Sequence, residues 1–458
     1  MDMATHIKKT FWLMMLLPSI VFAQEKLSLE KCRQMALEHN YKVKIAEEEV
    51  ASASLLRKAA FTEYLPSFNF LGTYQRLGER FLIRTPQIDL DLSKVDPAIR
   101  TLVEPLSHVP PQDMRLGQLD NFIFNVAIIQ PIYTGGKIRT LNKTAKYMEN
   151  MSYANKQMQE SEIIYKVDEA YWRTVSLVEQ LFLAKKNKAT IDRFRYDVDN
   201  YHQEGIITRA DLLKVMVKTN DSELKVLRAT NGLALSAMAL CQIIGLPLDS
   251  KLILTDTLID INLTNLYGDF SQKAISKRPE INLLENSMNI SKGNVKLMVS
   301  RYLPTVGLTA NANFMNPNPF DGMEKNFGFG WNIGVTCIVP LFHWNERGYT
   351  LKIAKHQQKI SELKIDEAKE MISLQVKQAQ FKLSECAKKI ELTATSLSQS
   401  EENLKIISDN FQEGMSKIAD VLEAQTLWQQ AFYDNLDAKS EYRVNQSNFM
   451  KVLGELKK

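Results

Sequence analysis

The sequence predicts a mainly α-helical chain that carries membrane β-strands and uses one architecture twice. Three observations predict this. The first is repetition. "QEGIITRAD", Gln203–Asp211, returns as "QEGMSKIAD", Gln412–Asp420. Gly205 and Gly414, Asp211 and Asp420, and Pro131 and Pro340 all share an offset of 209 positions. Upstream, "EYLPSFNF" matches "RYLPTVGL", with Pro66 and Pro304 offset by 238. The two offsets differ by 29 residues, so the first copy is enlarged between Pro66 and Pro131. The second observation is proline usage. Residues 132–246 and 341–458 contain none, and proline breaks helix interiors. The third is a set of short segments with period two, described below.

The elements follow in order. Lys8 and Lys9 precede an apolar run, 11–23, that ends in Val-Phe-Ala. It is too short to span a bilayer and reads as an export signal, residues 1–23, cleaved after Ala23. Cys32 is not placed as a lipoprotein anchor, and no later stretch approaches 18 consecutive apolar residues. The first repeat occupies 24–245. It carries strands at about 67–76 and 120–130, a loop at 77–119, a long helix at about 137–203 and a returning helix at about 208–245. A linker, 246–269, reads as a belt between repeats. The second repeat, 270–458, has strands at about 305–314 and 327–339, a long helix at about 346–411 and a returning helix at about 417–456. The long helices are apolar at three-four spacing, as at Ile138, Leu141 and Ala145, or Val421, Gln425, Trp428 and Phe432. Gly205 and Gly414 supply the left-handed turn at which each rod ends. Thr208 then caps the next helix, with Asp211 in the capping-box position.

"TVGLTANANF", residues 305–314, alternates strictly: Val306, Leu308, Ala310, Ala312 and Phe314 oppose Thr305, Gly307, Thr309, Asn311 and Asn313. "FGFGWNIGVTC", 327–337, does the same, with Phe, Phe, Trp, Ile, Val and Cys opposing Gly, Gly, Asn, Gly and Thr. "SFNFLGTY" and "NFIFNVAI" are their less regular counterparts in the first repeat. About ten residues is the length of a tilted membrane-spanning strand. The small uncharged face suits a water-filled lumen, and the aromatic ends suit membrane interfaces. A soluble sandwich with one wet face is the other reading, but no further strands exist to form its second sheet. Four strands cannot close a transmembrane barrel, and an open edge in lipid leaves backbone groups unpaired. The chain must therefore oligomerise through its strands. Two copies give eight strands and three give twelve; periodicity does not choose.

Catalytic patterns are missing. No His-Glu-x-x-His, Cys-x-x-Cys or Gly-x-Ser-x-Gly occurs, and the six histidines are scattered. Gly328, Gly330 and Gly334 lie in a period-two strand without a helix start, so they are not a nucleotide loop. The net charge of +4 is spread thinly over 458 residues, with no basic block interleaved with aromatics, which argues against a nucleic-acid partner. The reading is no enzyme, no cofactor and no metal. The four cysteines have spacings that imply no pairing, although export permits it. The charged clusters at Glu47–Glu49 and Glu401–Glu402 read as solvated helix faces.

The order of these parts resembles the TolC-like outer-membrane efflux proteins: helix, "YLP" strand, strand ending in proline-aromatic, long helix, glycine turn, returning helix, all twice. The resemblance covers nearly the whole mature chain. It implies a homotrimer, with a twelve-stranded barrel in outer-membrane lipid continued by a periplasmic α-helical barrel. Pro66, Pro131, Pro304 and Pro340 would mark the junctions between the two. It implies a passive exit duct that docks with a periplasmic adaptor and an inner-membrane pump, such as an RND or ABC transporter. Protein secretion by a type I system is the runner-up, and a periplasmic coiled-coil adaptor without a pore is a further alternative. By position in the family, Asp420 and Glu423 fall at an acidic constriction of the periplasmic tip and Asp211 on the neighbouring hairpin. Gly205, Gly414, Phe411, Ser416 and Lys417 form the tip turns and docking surface. Phe411 lacks the hydroxyl with which an aromatic there can latch, and Ser416 stands where a basic latch residue can lie. Asp211 is also explained as a helix-start acid. Lys417, at the matching cap position beside Asp420, cannot accept a hydrogen bond, so a capping role explains Asp420 less well.

Overall fold

The computed structural model describes residues 26–258 and 268–456. The export signal and most of the linker's second half fall outside them. The first elements are β1 (Lys26–Leu27), α1 (Leu29–His39) and α2 (Tyr41–Thr62). Next come β2 (Ser67–Arg76), β3 (Phe81–Arg84), β4 (Ile88–Asp89), α3 (Pro97–Val103), β5 (His108–Val109), β6 (Asp113–Leu116) and β7 (Asp120–Tyr133). The first rod is α4 (Lys137–Gln203), and α5 (Arg209–Ile244) returns from it. The second copy begins after β8 (Ile253–Leu254). It runs α6 (Ser271–Lys277), α7 (Pro279–Ser300), β9 (Thr305–Asn316), β10 (Gly328–Ile338), α8 (Glu346–Gln412) and α9 (Ile418–Val452). Each rod is a single 67-residue helix, about 100 Å long at 1.5 Å per residue.

The chain divides into two compact units, each drawing on both repeats. The first comprises residues up to 52, 150–287 and 362–458. Its core gathers α1, α4 and α5 around Cys32, Val167, Tyr171, Leu240 and Ile244. A second cluster holds Val376, Leu383, Cys386 and Tyr442 from α8 and α9. Polar anchors lie among these apolar groups. Arg33 makes two hydrogen bonds to Asp168, at 2.7 and 2.6 Å, and Asp168 is fully buried. Tyr171 donates to Asp256 at 2.6 Å, and the same carboxylate accepts the Leu29 N–H at 3.1 Å. Beside them β1 pairs in parallel with β8, stitching the described start of the chain to the inter-repeat segment.

The second unit, 53–149 and 288–361, holds a four-stranded antiparallel sheet in the order β10-β9-β7-β2. β2 and β9 enter, and β7 and β10 leave, at one end, where the helical connections attach. Pro66 and Pro304 immediately precede β2 and β9, and Pro340 follows β10 by two residues. Pro131 sits instead inside β7, at a bulge between Pro131 and Tyr133. A bulge is one of the few places a strand tolerates the missing N–H. At the other end lies the enlarged loop, 77–119. Within it β3 pairs with β6 and β4 with β5, so it is a folded extension of the β2–β7 hairpin.

All four cysteines are free; Cys32, Cys241 and Cys386 are buried, whereas Cys337 is exposed. Burial first, then nearby Asp256, pushes the Cys32 thiol up to about 12. Burial, then Glu441, pushes Cys386 up to about 11. Thiolates are the reactive species. A small apolar maleimide should therefore add once per folded chain, at Cys337, and four times after unfolding, as read by intact mass. Rapid labelling of Cys32 or Cys386 in the folded chain would contradict this burial.

Candidate functional site

Each unit carries a candidate surface rather than a pocket, and that of the second unit is built by the strands. Side chains alternate faces along a strand, so register decides which residues share a wall. Phe70 pairs with Val126, Val126 with Ala312, and Ala312 with Trp331. Following the pairing outward, one face carries Phe68, Phe70, Phe122, Phe124, Leu308, Phe314, Phe329, Trp331, Ile333 and Val335. Trp331, Ile333 and Val335 are 65–72 % exposed, so nothing among the described residues covers them. Its aromatics concentrate at the end away from the helices. There Phe327, one residue before β10, stacks on Phe314 at 4.8 Å with a 7° interplanar angle.

The opposite face is uncharged and carries most of the sheet's asparagines, Asn125, Asn311, Asn313 and Asn332, with Leu71, Ile123 and Ile129 among them. The Asn125 amide donates to Asn313 at 2.7 Å, and Asn311 donates to Asn332 at 2.9 Å. These cross-strand pairs satisfy the wall's polar groups laterally while leaving it wettable. Phe320, from the β9–β10 loop, lies against Gly330 on this face, occupying the space a Cβ would need. The sheet's outer edges, β2 and β10, have no partner strand among the described residues.

The candidate surface of the first unit is built by its helical turns. Gly205 and Gly414 adopt φ of +76° and +75°, and a Cβ at either would meet nothing within 4 Å. The restriction there is purely backbone. Alanine at each position should cost about 1–2 kcal/mol, read as faster amide exchange in the last turns of α4 and α8. Unchanged exchange would remove the requirement for glycine. The cores of the two turns meet: Phe194 and Phe411 pack edge to face at 5.4 Å, beside Val198, Leu212, Val215 and Ile418. Phe411, without a hydroxyl, thus acts as an apolar clasp between α4 and α8.

At the start of α5, the Thr208 hydroxyl accepts the Asp211 N–H at 3.2 Å and donates to its carboxylate at 2.7 Å. Thr208 first, and then the Lys214 ammonium, hold the Asp211 carboxyl below the usual carboxylate range. That interaction is present at neutral pH and is lost as pH falls through the lowered value. At the start of α9 the expectation about Asp420 needs correction. Lys417 cannot accept, but the Asp420 carboxylate accepts the Lys417 N–H at 3.0 Å. This is the reverse arm of a capping box, which needs no hydroxyl at the cap. Asp420 and Glu423 are both exposed, Lys417 is exposed and Ser416 is half-buried. Asp420 and Glu423 sit three residues apart, on neighbouring positions of one helix face.

Further along, α5 and α9 meet through polar contacts that spacing alone did not reveal. Lys218 donates to Thr426 at 2.8 Å and Lys225 to Gln429 at 3.0 Å, while buried Gln425 donates to Asn187 of α4 at 2.5 Å. Burial, and then Lys225, lower the Lys218 ammonium below its ordinary range. Among the described residues, no group of three His, Cys, Asp or Glu side chains could hold a metal ion.

The family profile described as outer membrane efflux protein matches residues 32–246 and 270–455. The chain belongs to that family. It is an outer-membrane efflux channel protein by descent, and the family is one of passive channels. A search of curated sequences gives no significant match. Solved structures share its two-repeat fold. The Campylobacter jejuni outer membrane channel CmeC is 17 % identical with a TM-score of 0.72, over 93 % of this chain and 85 % of that one. The Neisseria gonorrhoeae MtrE channel, solved in its open state, is 18 % identical with a TM-score of 0.73, over 94 % and 89 %. The Vibrio cholerae outer membrane protein VceC is 14 % identical with a TM-score of 0.72, over 93 % and 96 %.

Proposed function

We propose that this chain is the exit duct of a tripartite efflux system, working as a homotrimer whose twelve strands close one barrel. The observation that carries this reading is the four-stranded sheet with unpaired β2 and β10 edges and opposite apolar and polar faces. In hydrocarbon every unpaired backbone group costs several kcal/mol, so the β2 edge of one copy must meet the β10 edge of the next. Residues 1–23 direct export, with Gln24 as the mature start. The energy comes from an inner-membrane pump of the RND or ABC class, reached through a periplasmic adaptor that contacts the turns around Gly205 and Gly414. Native mass spectrometry of detergent-extracted protein should return three mature chains; a stable water-soluble monomer would sink the reading. Deletion of the chain should raise sensitivity to drugs, detergents or metals and leave the secreted proteome intact. The converse result would assign the duct to type I protein secretion.

The periplasmic mouth is read as a carboxylate ring from Asp420 and Glu423, with Asp211 on the adjacent hairpin. The exposure of Asp420 and Glu423 on α9 supports this, because the cap at Asp420 occupies one carboxylate oxygen and leaves the charge outward. Like charges gathered around an axis favour cations. Asp420→Asn combined with Glu423→Gln should reduce cation preference and change conductance in planar-bilayer recordings. Unchanged ion selectivity would exclude these residues from the constriction.

A further inference from the structure

At the sheet end away from the helices, the apolar face runs into an open hollow of about 580 Å³ whose lining includes Tyr74, Arg76, Arg80, Asp120, Phe122 and Lys325. Register places Tyr74, Phe122, Arg76 and Asp120 on the same side of the sheet as Phe70 and Phe124. The hollow therefore opens on the apolar face, directly beyond its aromatic band. Three of its lining residues are cations and one is an anion. Asp120 is already engaged: its carboxylate accepts from the Tyr74 hydroxyl at 2.9 Å and from Arg76 at 3.2 Å. Arg80 and Lys325 have no ion-pair partner among the described residues. Two uncompensated cations thus stand beside an apolar wall, one from each hairpin loop.

We propose that this hollow binds the phosphorylated headgroup of an outer-leaflet lipid, with the acyl chains lying along the Phe70, Phe122 and Phe124 side of the sheet. The occupant follows from charge complementarity and from continuity with the apolar face. A phosphate monoester offers acceptors to Arg80 and Lys325, and Arg guanidinium geometry suits it in particular. A ligand with acyl chains also gains contact with the aromatic band, which a free phosphate cannot use. The site would pin the loops 77–119 and 317–327 to the membrane surface. This inference rests on the reading of the apolar face as lipid-facing, and its test keeps the two apart.

The purified full chain, in its native oligomer, is titrated in detergent with lipid A, which carries two phosphates, and with phosphatidylcholine. The wild type should prefer lipid A, and the Arg80→Gln/Lys325→Gln variant, which leaves the Arg76–Asp120 pair intact, should bind lipid A about 30-fold more weakly. Equal binding of the two lipids, or an unaffected double variant, overturns the headgroup site. Displacement by inorganic phosphate at matched concentration would show the ligand to be free phosphate and overturn the lipid. In a parallel arm, the chain is placed in vesicles of brominated phosphatidylcholine and compared with Trp331→Phe. Loss of a quenched signal in that variant places Trp331 in the bilayer whatever the headgroup result. A Trp331 signal that is never quenched overturns the lipid-facing reading itself, and the site with it.

Discussion

Ile333→Arg is expected to abolish accumulation of assembled channel, whereas Asn332→Arg, one residue away, should assemble and change only conduction. Ile333 lies mid-strand in β10, opposite Ala310 and between Trp331 and Val335 on the apolar face. Arginine on the lipid face of a barrel costs about 2–4 kcal/mol near the bilayer midplane. In a closed oligomer every copy of β10 carries the substitution, so the cost recurs with each chain. Asn332 points the other way, where it accepts from Asn311. A cation there meets water and removes one hydrogen bond between neutral side chains, a loss of about 1 kcal/mol. The measurement is the amount of detergent-resistant oligomer in outer-membrane fractions, with expression matched. Equal loss in both variants would mean that the two faces are not distinguished by lipid, and normal assembly of Ile333→Arg would mean that this face never meets it.

The contrast between these two neighbours was legible in sequence, and the reason is physical. A strand that separates lipid from water must alternate without error, so β9 and β10 wrote their faces directly into the chain. The rods were legible for a similar reason: a 67-residue helix excludes proline over a length that chance seldom spares. Legibility failed where a contact depended on chemistry not implied by spacing. The Asp420 cap was missed because Lys417 has no acceptor, yet the carboxylate reaches back to the Lys417 N–H without one. Phe411 was read by its missing hydroxyl, although its ring finds Phe194, 217 positions away. The folded interior of loop 77–119 was hidden by its five prolines, which mask two short strand pairs. The hollow at the sheet end needed Lys325 and Arg80 together, and nothing in either repeat alone points to the other.

Arg33→Ala should be among the most damaging single substitutions in the helical unit, although Arg33 is a surface-type residue in a short helix and far from any turn. Its guanidinium supplies the two hydrogen bonds to Asp168. Asp168 is on α4 amid Val167, Tyr171 and Trp172, with no exposed side-chain surface. Removing one partner of a buried ion pair costs about 3–5 kcal/mol, because the other charge is left uncompensated in an apolar environment. Replacing both partners with apolar residues removes that charge. Arg33→Met with Asp168→Leu should therefore recover most of the loss, a rescue that ordinary additivity does not give. Thermal unfolding of both variants, followed by helical circular dichroism in detergent, reads the loss and its rescue. The pair holds α1 onto α4 next to the β1–β8 stitch, so the same variants test whether that junction keeps the helical unit closed. If Arg33→Ala unfolds at the wild-type temperature, the ion pair contributes nothing and the junction is held by Tyr171 and the apolar core alone.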